Sequence, residues 1–132
     1  MKRRLVAAAL VLVFPFGMAA CGAQSKEAAC KQIQKAATTA SSEINFDANS
    51  NENDFKEGLD KALKIYKKAA KKVTNNDVKA AYADVITDMD KLADAMNNGA
   101  DFYESDEVLD LTTELSAHGE KLNELCGFSW DR

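Results

Sequence analysis

Four stretches of the chain have apolar residues spaced three or four positions apart, and this spacing constrains the fold more than any other feature. It places the apolar side chains on one face of an α-helix, whereas a β-strand would show alternation. The stretches extend over residues 30–44, 55–73, 78–96 and 108–125. Four helices of about twenty residues with short connections favour antiparallel neighbours. The pattern therefore predicts an all-α protein, a single up-down-up-down four-helix bundle.

The segments between the stretches are rich in residues that end helices and form turns. Residues 46–53 are mostly Asn, Asp and Ser, which favour loops. In the next connection, Asp77 is in a position to cap the third helix. Gly99 suits a left-handed cap at the end of that helix, and Ser105 can cap the fourth. These signals predict polar connections between the helices.

Three residues within the stretches bear on how the helices pack. Leu109 flanks the apolar face of the fourth helix, and we expect it to widen the buried surface. Gly58 and Gly119 lie inside helices, where glycine costs about 1 kcal/mol relative to alanine. We interpret both glycines as positions of close helix contact.

The N-terminus has the composition of an export signal. Residues 1–21 read MKRRLVAAALVLVFPFGMAAC, in which three cations precede a twelve-residue apolar run from Leu5 to Phe16. Spanning a bilayer takes about 20 apolar residues, so the run predicts a cleaved signal rather than a transmembrane helix. The four residues Met18-Ala19-Ala20-Cys21 look like a lipobox, although Met replaces the commoner Leu. The segment thus resembles that of bacterial lipoprotein precursors.

This resemblance implies specific chemistry at Cys21. Its sulfur would receive a diacylglyceryl group, and cleavage after Ala20 would make Cys21 the mature N-terminus. The acyl chains, palmitate for example, would hold the protein in membrane lipid on the extracytoplasmic face of a bacterial membrane. The chain would then comprise a signal peptide (1–20), a lipidated cysteine with a short tether (21–26) and the bundle (27–132). The alternative is an ordinary secretory signal that leaves Cys21 as a free thiol.

The other two cysteines form an even pair once Cys21 is modified. Cys30 lies one turn into the first helix and Cys126 at the end of the fourth, so an up-down-up-down bundle brings them to the same end. Disulfides persist in the compartments to which exported proteins go. We therefore predict a Cys30–Cys126 disulfide, with two free thiols as the alternative.

The charge of the mature chain bears on its partners. Removing residues 1–20 leaves 14 Lys and Arg against 21 Asp and Glu, a net charge of −7. Nucleic-acid binding needs a basic surface, so we expect no nucleic-acid partner.

His118 is the only histidine, and it lies on the inner face of the predicted fourth helix. A di-iron bundle would need two Glu-x-x-His elements, whereas this chain has only Glu114 four residues before His118. We interpret His118 as a residue at the edge of the core, bonded to a neighbour. With no phosphate loop or nucleophile motif in the sequence, we predict no enzyme activity and no cofactor.

Asp47-Ala-Asn49-Ser-Asn51 begins like a calcium-binding loop. The sixth position is Glu52 instead of Gly, and the twelfth is Gly58 where a bidentate Glu is needed. We interpret the segment as an Asn- and Asp-rich connection and predict no metal site.

Two functions suit a lipoprotein of this kind. In the first, the bundle binds a protein or a cell-envelope component through Phe46, Phe102 and Tyr103, which fall among acidic residues in the loops far from the tether. The competing interpretation is that these aromatic residues close the end of the core. In the second function, a cavity between the helices carries a small ligand and is lined by four core residues: Tyr66, Tyr82, Met89 and Met96.

A run of lysines follows the second helix, at positions 61, 64, 67, 68, 71 and 72. As an exposed face it needs no functional explanation. If Cys21 is lipidated, however, the end of the bundle that carries Lys67, Lys68, Lys71 and Lys72 lies close to the membrane. We then expect the basic end to face the lipid and the acidic, aromatic end to point away.

Overall fold

The computed structural model describes residues 22–45, 47 and 49–128, which form four α-helices and no β-strand. The helices are α1 (Lys26–Glu43), α2 (Glu52–Ala70), α3 (Asn76–Asn97) and α4 (Asp106–Cys126). Each helix packs against the next one along the chain. The predicted all-α four-helix bundle is confirmed.

Polar side chains cap the first turns of α1, α2 and α4. Ser25 Oγ accepts a hydrogen bond from the first turn of α1 at 3.2 Å. Before α2, Asn51 Oδ1 accepts from the Asp54 N–H at 3.2 Å, and Asp54 Oδ2 accepts from the Asn51 N–H at 2.9 Å. This reciprocal arrangement is a capping box. Ser105 caps α4 with a 3.4 Å bond, as expected from the sequence.

The cap of α3 is Asn75, and the expectation that Asp77 fills this role is wrong. Asn75 Oδ1 accepts from the Val78 N–H at 3.2 Å, and the helix begins at Asn76. An N-cap must have extended backbone angles, and Asn75 has them (φ −65°, ψ 123°). Asp77 lies instead in the first turn, where its negative charge still interacts favourably with the helix dipole.

The end of α3 follows the sequence prediction. Gly99 has a left-handed φ of 93°, which glycine adopts without steric cost. Its N–H donates to the Met96 carbonyl at 3.1 Å, and the Ala100 N–H donates to the Ala95 carbonyl at 3.0 Å. These two bonds form a Schellman motif, which satisfies carbonyls that the helix leaves unpaired.

The central helix of the bundle is α3. It packs against α2 on one side and α4 on the other, and α1 contacts it across the bundle. Among the described helices, no Cα atom of α2 lies within 8 Å of one of α4, and a groove remains between these two helices above α3. The apolar side chains that α3 buries are Val78, Ala81, Tyr82, Val85, Ile86, Met89, Leu92, Ala93, Ala95 and Met96.

Two packing expectations are wrong, and both concern α4. A Cβ atom at Gly119 would meet no neighbouring atom within 4 Å, so this glycine is not a close helix contact. Leu109 is 52% exposed instead of buried. The cause is the same in both cases, since α4 packs mainly on α3 and only Val108 and Leu122 of this helix are fully covered. Gly58, by contrast, is buried.

Candidate functional site

A disulfide joins the first and last helices at one end of the bundle. Cys30 of α1 and Cys126 of α4 are bonded, with their Cα atoms 5.4 Å apart. The sequence-based prediction of this bridge is confirmed. We call this end of the molecule, which also carries the α2–α3 connection, the disulfide pole.

The segment that leads into α1 is held against the α2–α3 connection. The Gln24 N–H donates to Thr74 Oγ1 at 2.9 Å, and the Thr74 N–H donates to Gln24 Oε1 at 2.9 Å. Asn75 Nδ2 also donates to the Gln24 carbonyl oxygen at 3.2 Å. Three hydrogen bonds therefore fix the chain at Gln24, only three residues after Cys21. No sequence motif indicated this contact, because it pairs residues about fifty positions apart.

The opposite end, which we call the distal pole, contains the α1–α2 and α3–α4 connections. Phe102 is half-buried there and packs against the core, with its ring centroid 4.8 Å from that of Phe55. Its ring also contacts Tyr103 edge-on at 5.2 Å. Phe102 thus closes the end of the core, whereas Phe46 lies outside the described residues.

Two large apolar side chains are exposed at the distal pole. Tyr103 is 85% exposed and Leu109 is 52% exposed. The residues next to them along the chain include five exposed acids: Asp101, Glu104, Asp106, Glu107 and Asp110. We call Tyr103 and Leu109 the distal patch. The helical spacing of Leu109 assigned it to the core, so the sequence alone did not reveal half of this patch.

The groove between α2 and α4 has a volume of about 390 Å³. It is lined by Tyr66, Val85, Met89, Leu115, Ser116, Gly119, Glu120 and Asn123. Tyr66 and Met89 are therefore where a carrier would need them, but Tyr82 and Met96 are packed in the core, 1% and 0% exposed. This part of the predicted ligand cavity is wrong.

Two buried polar atoms near these helices have no hydrogen-bond partner within the described part of the chain, namely Tyr82 Oη and Asn123 Oδ1. Burial raises the pKa of both Tyr66 and Tyr82, whose rings meet edge-on at 6.1 Å, so both hydroxyls stay neutral. Asn123 lines the groove near the disulfide pole, and its Oδ1 atom is itself buried.

His118 joins α4 to α3 through a buried carboxylate. Its Nδ1 forms a hydrogen bond with Asp88 Oδ2. Asp88 is 2% exposed, and the Lys91 Nζ lies 4.0 Å from its other oxygen and 3.7 Å from Glu114. The bond to Asp88 raises the pKa of His118, although partial burial acts in the opposite direction. His118 is thus bonded to a neighbour, as interpreted from the sequence.

The sequence did contain a signal for this pair. Asp88 is three residues after Val85 and four before Leu92, so it falls on the apolar face of α3. A lone acid on a buried face needs a partner. The single histidine at the core-facing side of the next helix was the available candidate.

The Asn- and Asp-rich connection uses its polar atoms within the loop. Asp47 Oδ1 accepts from the Asn49 N–H at 2.8 Å, and the Asp47 N–H donates to Ser50 Oγ at 2.8 Å. Asn51 caps α2. Among the residues that the structure describes, no group of three His, Cys, Asp or Glu side chains is arranged to hold a metal ion.

Ala20 and Cys21, the residues of the predicted cleavage and lipidation site, lie outside the described residues. None of the helices in the described part is long and apolar enough to cross a bilayer. No protein-family model, curated protein or solved structure matches this chain.

Proposed function

We propose that this protein is a lipid-anchored bacterial lipoprotein on the extracytoplasmic face of a membrane, and that its bundle binds a protein or another component of the cell envelope without catalysis. The observation that carries the proposal is the attachment of Gln24 to Thr74 at the disulfide pole, opposite the exposed distal patch. A lipid on Cys21 would hold one pole near the membrane and leave the other free to meet a partner.

The tether between the lipid and the bundle is short. From Cys21 to Gln24 the chain extends about 10 Å at most, at up to about 3.6 Å per residue. The backbone and the side chain of Gln24 form hydrogen bonds with Thr74, and its carbonyl oxygen accepts one from Asn75. Both partners lie in the α2–α3 connection. The bundle is therefore not on a long flexible linker, and its orientation relative to the lipid is restricted.

The distal patch has the character of a small protein-binding surface. Exposed aromatic and aliphatic side chains are common anchors in interfaces, particularly where polar residues surround them. Tyr103 contributes little to the fold because it is 85% exposed, so its position is not explained by core packing. The surrounding carboxylates favour a partner with a basic surface.

Metabolic labelling with palmitate tests the anchor. We expect the wild-type protein to incorporate label and to partition into the membrane fraction. Cys21→Ser should incorporate no label and remain as the unprocessed precursor. The matched control is Cys126→Ser, which removes a cysteine but keeps the lipobox and should retain the label. Mass spectrometry that finds an unmodified mature Cys21 would refute the anchor.

Photo-crosslinking in whole cells tests the binding surface. A crosslinking residue in place of Tyr103 should give a defined adduct, whereas the same residue in place of Lys79, which is exposed near the disulfide pole, should not. Phe102→Ala should lower stability by roughly 1–3 kcal/mol because Phe102 packs on Phe55, while Tyr103→Ala should change stability by less than about 0.5 kcal/mol. Equal adducts from both positions would contradict a distal binding surface.

The groove supports a second candidate function, that of a small-ligand carrier. Its walls are apolar side chains from three helices, Tyr66 of α2, Met89 of α3 and Leu115 of α4. Gly119→Leu would place a side chain in this groove and should abolish binding of an apolar fluorescent probe. Ala117→Leu, on an exposed position of the same helix, is the control and should leave binding intact. Equal probe binding by both variants would exclude the groove.

A further inference from the structure

The outer face of α2 is strongly basic near the disulfide pole. Residues 61–75 contain six lysines and no acidic residue. Lys67 turns toward α3, where its Nζ lies 2.7 Å from Asp90 Oδ1. The other five are exposed and form no ion pair with any described residue. We call these five the lysine face: Lys61, Lys64, Lys68, Lys71 and Lys72.

The lysine face points sideways from the bundle rather than along its axis. At 100° per residue, Lys61, Lys64 and Lys68 fall on the side of α2 opposite the buried Leu59 and Leu63. The basic surface continues onto α1. Lys35 borders the same shallow groove between α1 and α2 as Lys68 and Lys72. Alanines of both helices also line this groove, and Glu43 is its one acidic residue.

Charge is divided between the two halves of the bundle. Residues 22–75, which contain α1 and α2, carry ten lysines and seven acidic residues. Residues 76–128, which contain α3 and α4, carry three lysines and thirteen acidic residues. An anionic surface would therefore attract the α1–α2 side and repel the α3–α4 side, so it would orient the molecule as well as bind it.

The tether leaves the bundle beside the lysine face. Lys72 is two residues before Thr74, whose hydrogen bonds hold Gln24. A lipid on Cys21 would thus keep Gln24, and the turn to which it is bonded, within about 10 Å of the attachment point. This reach is close to the screening length of about 8 Å at physiological salt. Lys71 and Lys72 are therefore the lysines that the tether brings closest to phosphate headgroups. The other three continue along the flank of α2.

We propose that the lysine face binds the headgroups of anionic membrane lipids, so that the bundle lies on its α2 side instead of standing on the disulfide pole. This inference rests on the proposed lipid anchor and assigns the surface that contacts the membrane. It also modifies the expectation that the basic end faces the lipid, because the exposed lysines lie along the flank of α2. The α3–α4 side, with its groove and its acidic residues, then faces away from the bilayer.

Lysine footprinting on vesicles tests the proposal. The full chain is expressed in a bacterial host and purified in whichever form the host makes, acylated or not. That form is combined with vesicles of phosphatidylcholine, with or without phosphatidylglycerol, and exposed to an amine-acetylating reagent. We expect Lys64, Lys68 and Lys72 to be protected only on the anionic vesicles. Lys79, Lys91 and Lys121, the lysines of α3 and α4, should react equally on both.

Two charge-matched triple variants provide the control. In the unacylated chain, Lys64, Lys68 and Lys72→Gln should weaken binding to anionic vesicles roughly a hundredfold, since each lysine near such a surface contributes about a fivefold factor. The same change at Lys79, Lys91 and Lys121 should weaken it far less. Circular dichroism shows whether each variant keeps its helices.

Three results would overturn the inference. One is equal labelling of the lysine face on neutral and anionic vesicles. Another is an equal loss of binding in the two triple variants. The third is protection by soluble polyphosphate but not by anionic vesicles, which would assign the face to an anionic polymer. The purified protein also tests the anchor, because a chain that the bacterial host leaves without acyl groups would refute it. In that case, footprinting with the unacylated chain still tests whether the lysine face binds anionic lipids.

Discussion

Asp88 is the one charged side chain that is buried among the described residues. A buried carboxylate is costly unless charged or polar groups compensate it. His118 supplies a direct hydrogen bond from α4, and Lys91 lies 4.0 Å away on the same helix as Asp88. Because the histidine bond crosses from α3 to α4, its strength affects the interface that holds α4 to the bundle.

The stability of the protein should therefore depend on the protonation of His118. Its pKa in the folded protein is raised above the ordinary 6.5 by the bond to Asp88, so the folded state binds a proton that the unfolded chain releases more readily. This stabilisation is fully present below pH 6.5. It is lost as the pH rises through the folded-state pKa.

Urea unfolding of wild type and His118→Gln at a series of pH values measures this effect. We expect the free energy of unfolding of wild type to exceed that of the variant most below pH 6.5. This difference should narrow as the pH rises past that value. In an Asp88→Asn background, the substitution at His118 should have little pH-dependent effect. A gap that stays constant across the range would contradict the role of this bond.

Helix ends show how one residue can serve both local and tertiary structure. Asn75 caps α3 and also donates to the Gln24 carbonyl, so it connects the helix start with the tether. Asp77 lies in the first turn of the same helix. The two residues therefore differ in what their removal should cost.

Asn75→Ala should lower the free energy of unfolding by about 1 kcal/mol or more, since it removes the N-cap and a bond to Gln24. Asp77→Ala should cost only a few tenths of a kcal/mol through the lost dipole interaction. Gln24→Ala removes the side-chain bond to Thr74 but keeps the cap, and its cost separates the two roles of Asn75. Urea unfolding measures all three, and an equal cost for Asp77 and Asn75 would contradict the assignment of the cap.

Helix α4 is covered along a narrow strip, and Gly119 lies beside that strip at the open groove. Gly119→Ala should stabilise the protein by up to about 1 kcal/mol, because alanine favours the helix and its Cβ meets no neighbour within 4 Å. The gain is measurable as a higher urea midpoint with an unchanged slope. A loss of stability would mean that a helix contacts this position in solution.

The Cys30–Cys126 disulfide closes almost the whole bundle into one loop, with a sequence separation of 96. In the chain-entropy model, a loop of this length contributes about 4–5 kcal/mol. We expect reductant, or the double variant Cys30→Ser and Cys126→Ser, to lower the free energy of unfolding by up to this amount. In the Cys21→Ser protein, unfolded without reductant, alkylation should find no free thiol; two reactive thiols would refute the bridge.

The disulfide also restricts how α1 and α4 can separate. These helices contact each other in few places, and the bridge joins them at the disulfide pole. The same pole holds Gln24 through Thr74. The disulfide and the Gln24 hydrogen bonds thus join different segments of the chain at the pole where the proposed lipid attaches. At the distal pole, the α2 and α3–α4 segments are joined by apolar packing such as that of Phe55 and Phe102.

The sequence by itself determined the four helices, the end of α3 at Gly99, the start of α4 at Ser105 and the pairing of Cys30 with Cys126. These features depend on local spacing, on capping chemistry and on the alternating direction of short-looped helices, all of which can be read along the chain. The identification of the N-terminal lipobox likewise depends on contiguous residues and stays a prediction.

The tertiary structure decided which side chains the neighbouring helices cover. Periodicity indicates the apolar face of a helix but not how far away the helix opposite lies. Because α4 packs mainly on α3, Leu109 is exposed and Gly119 faces a groove. Tyr82 and Met96 lie on the buried face of α3, in the core. Gln24 and Thr74, like Asp88 and His118, are far apart along the chain, so only the packing of the helices brings them into contact.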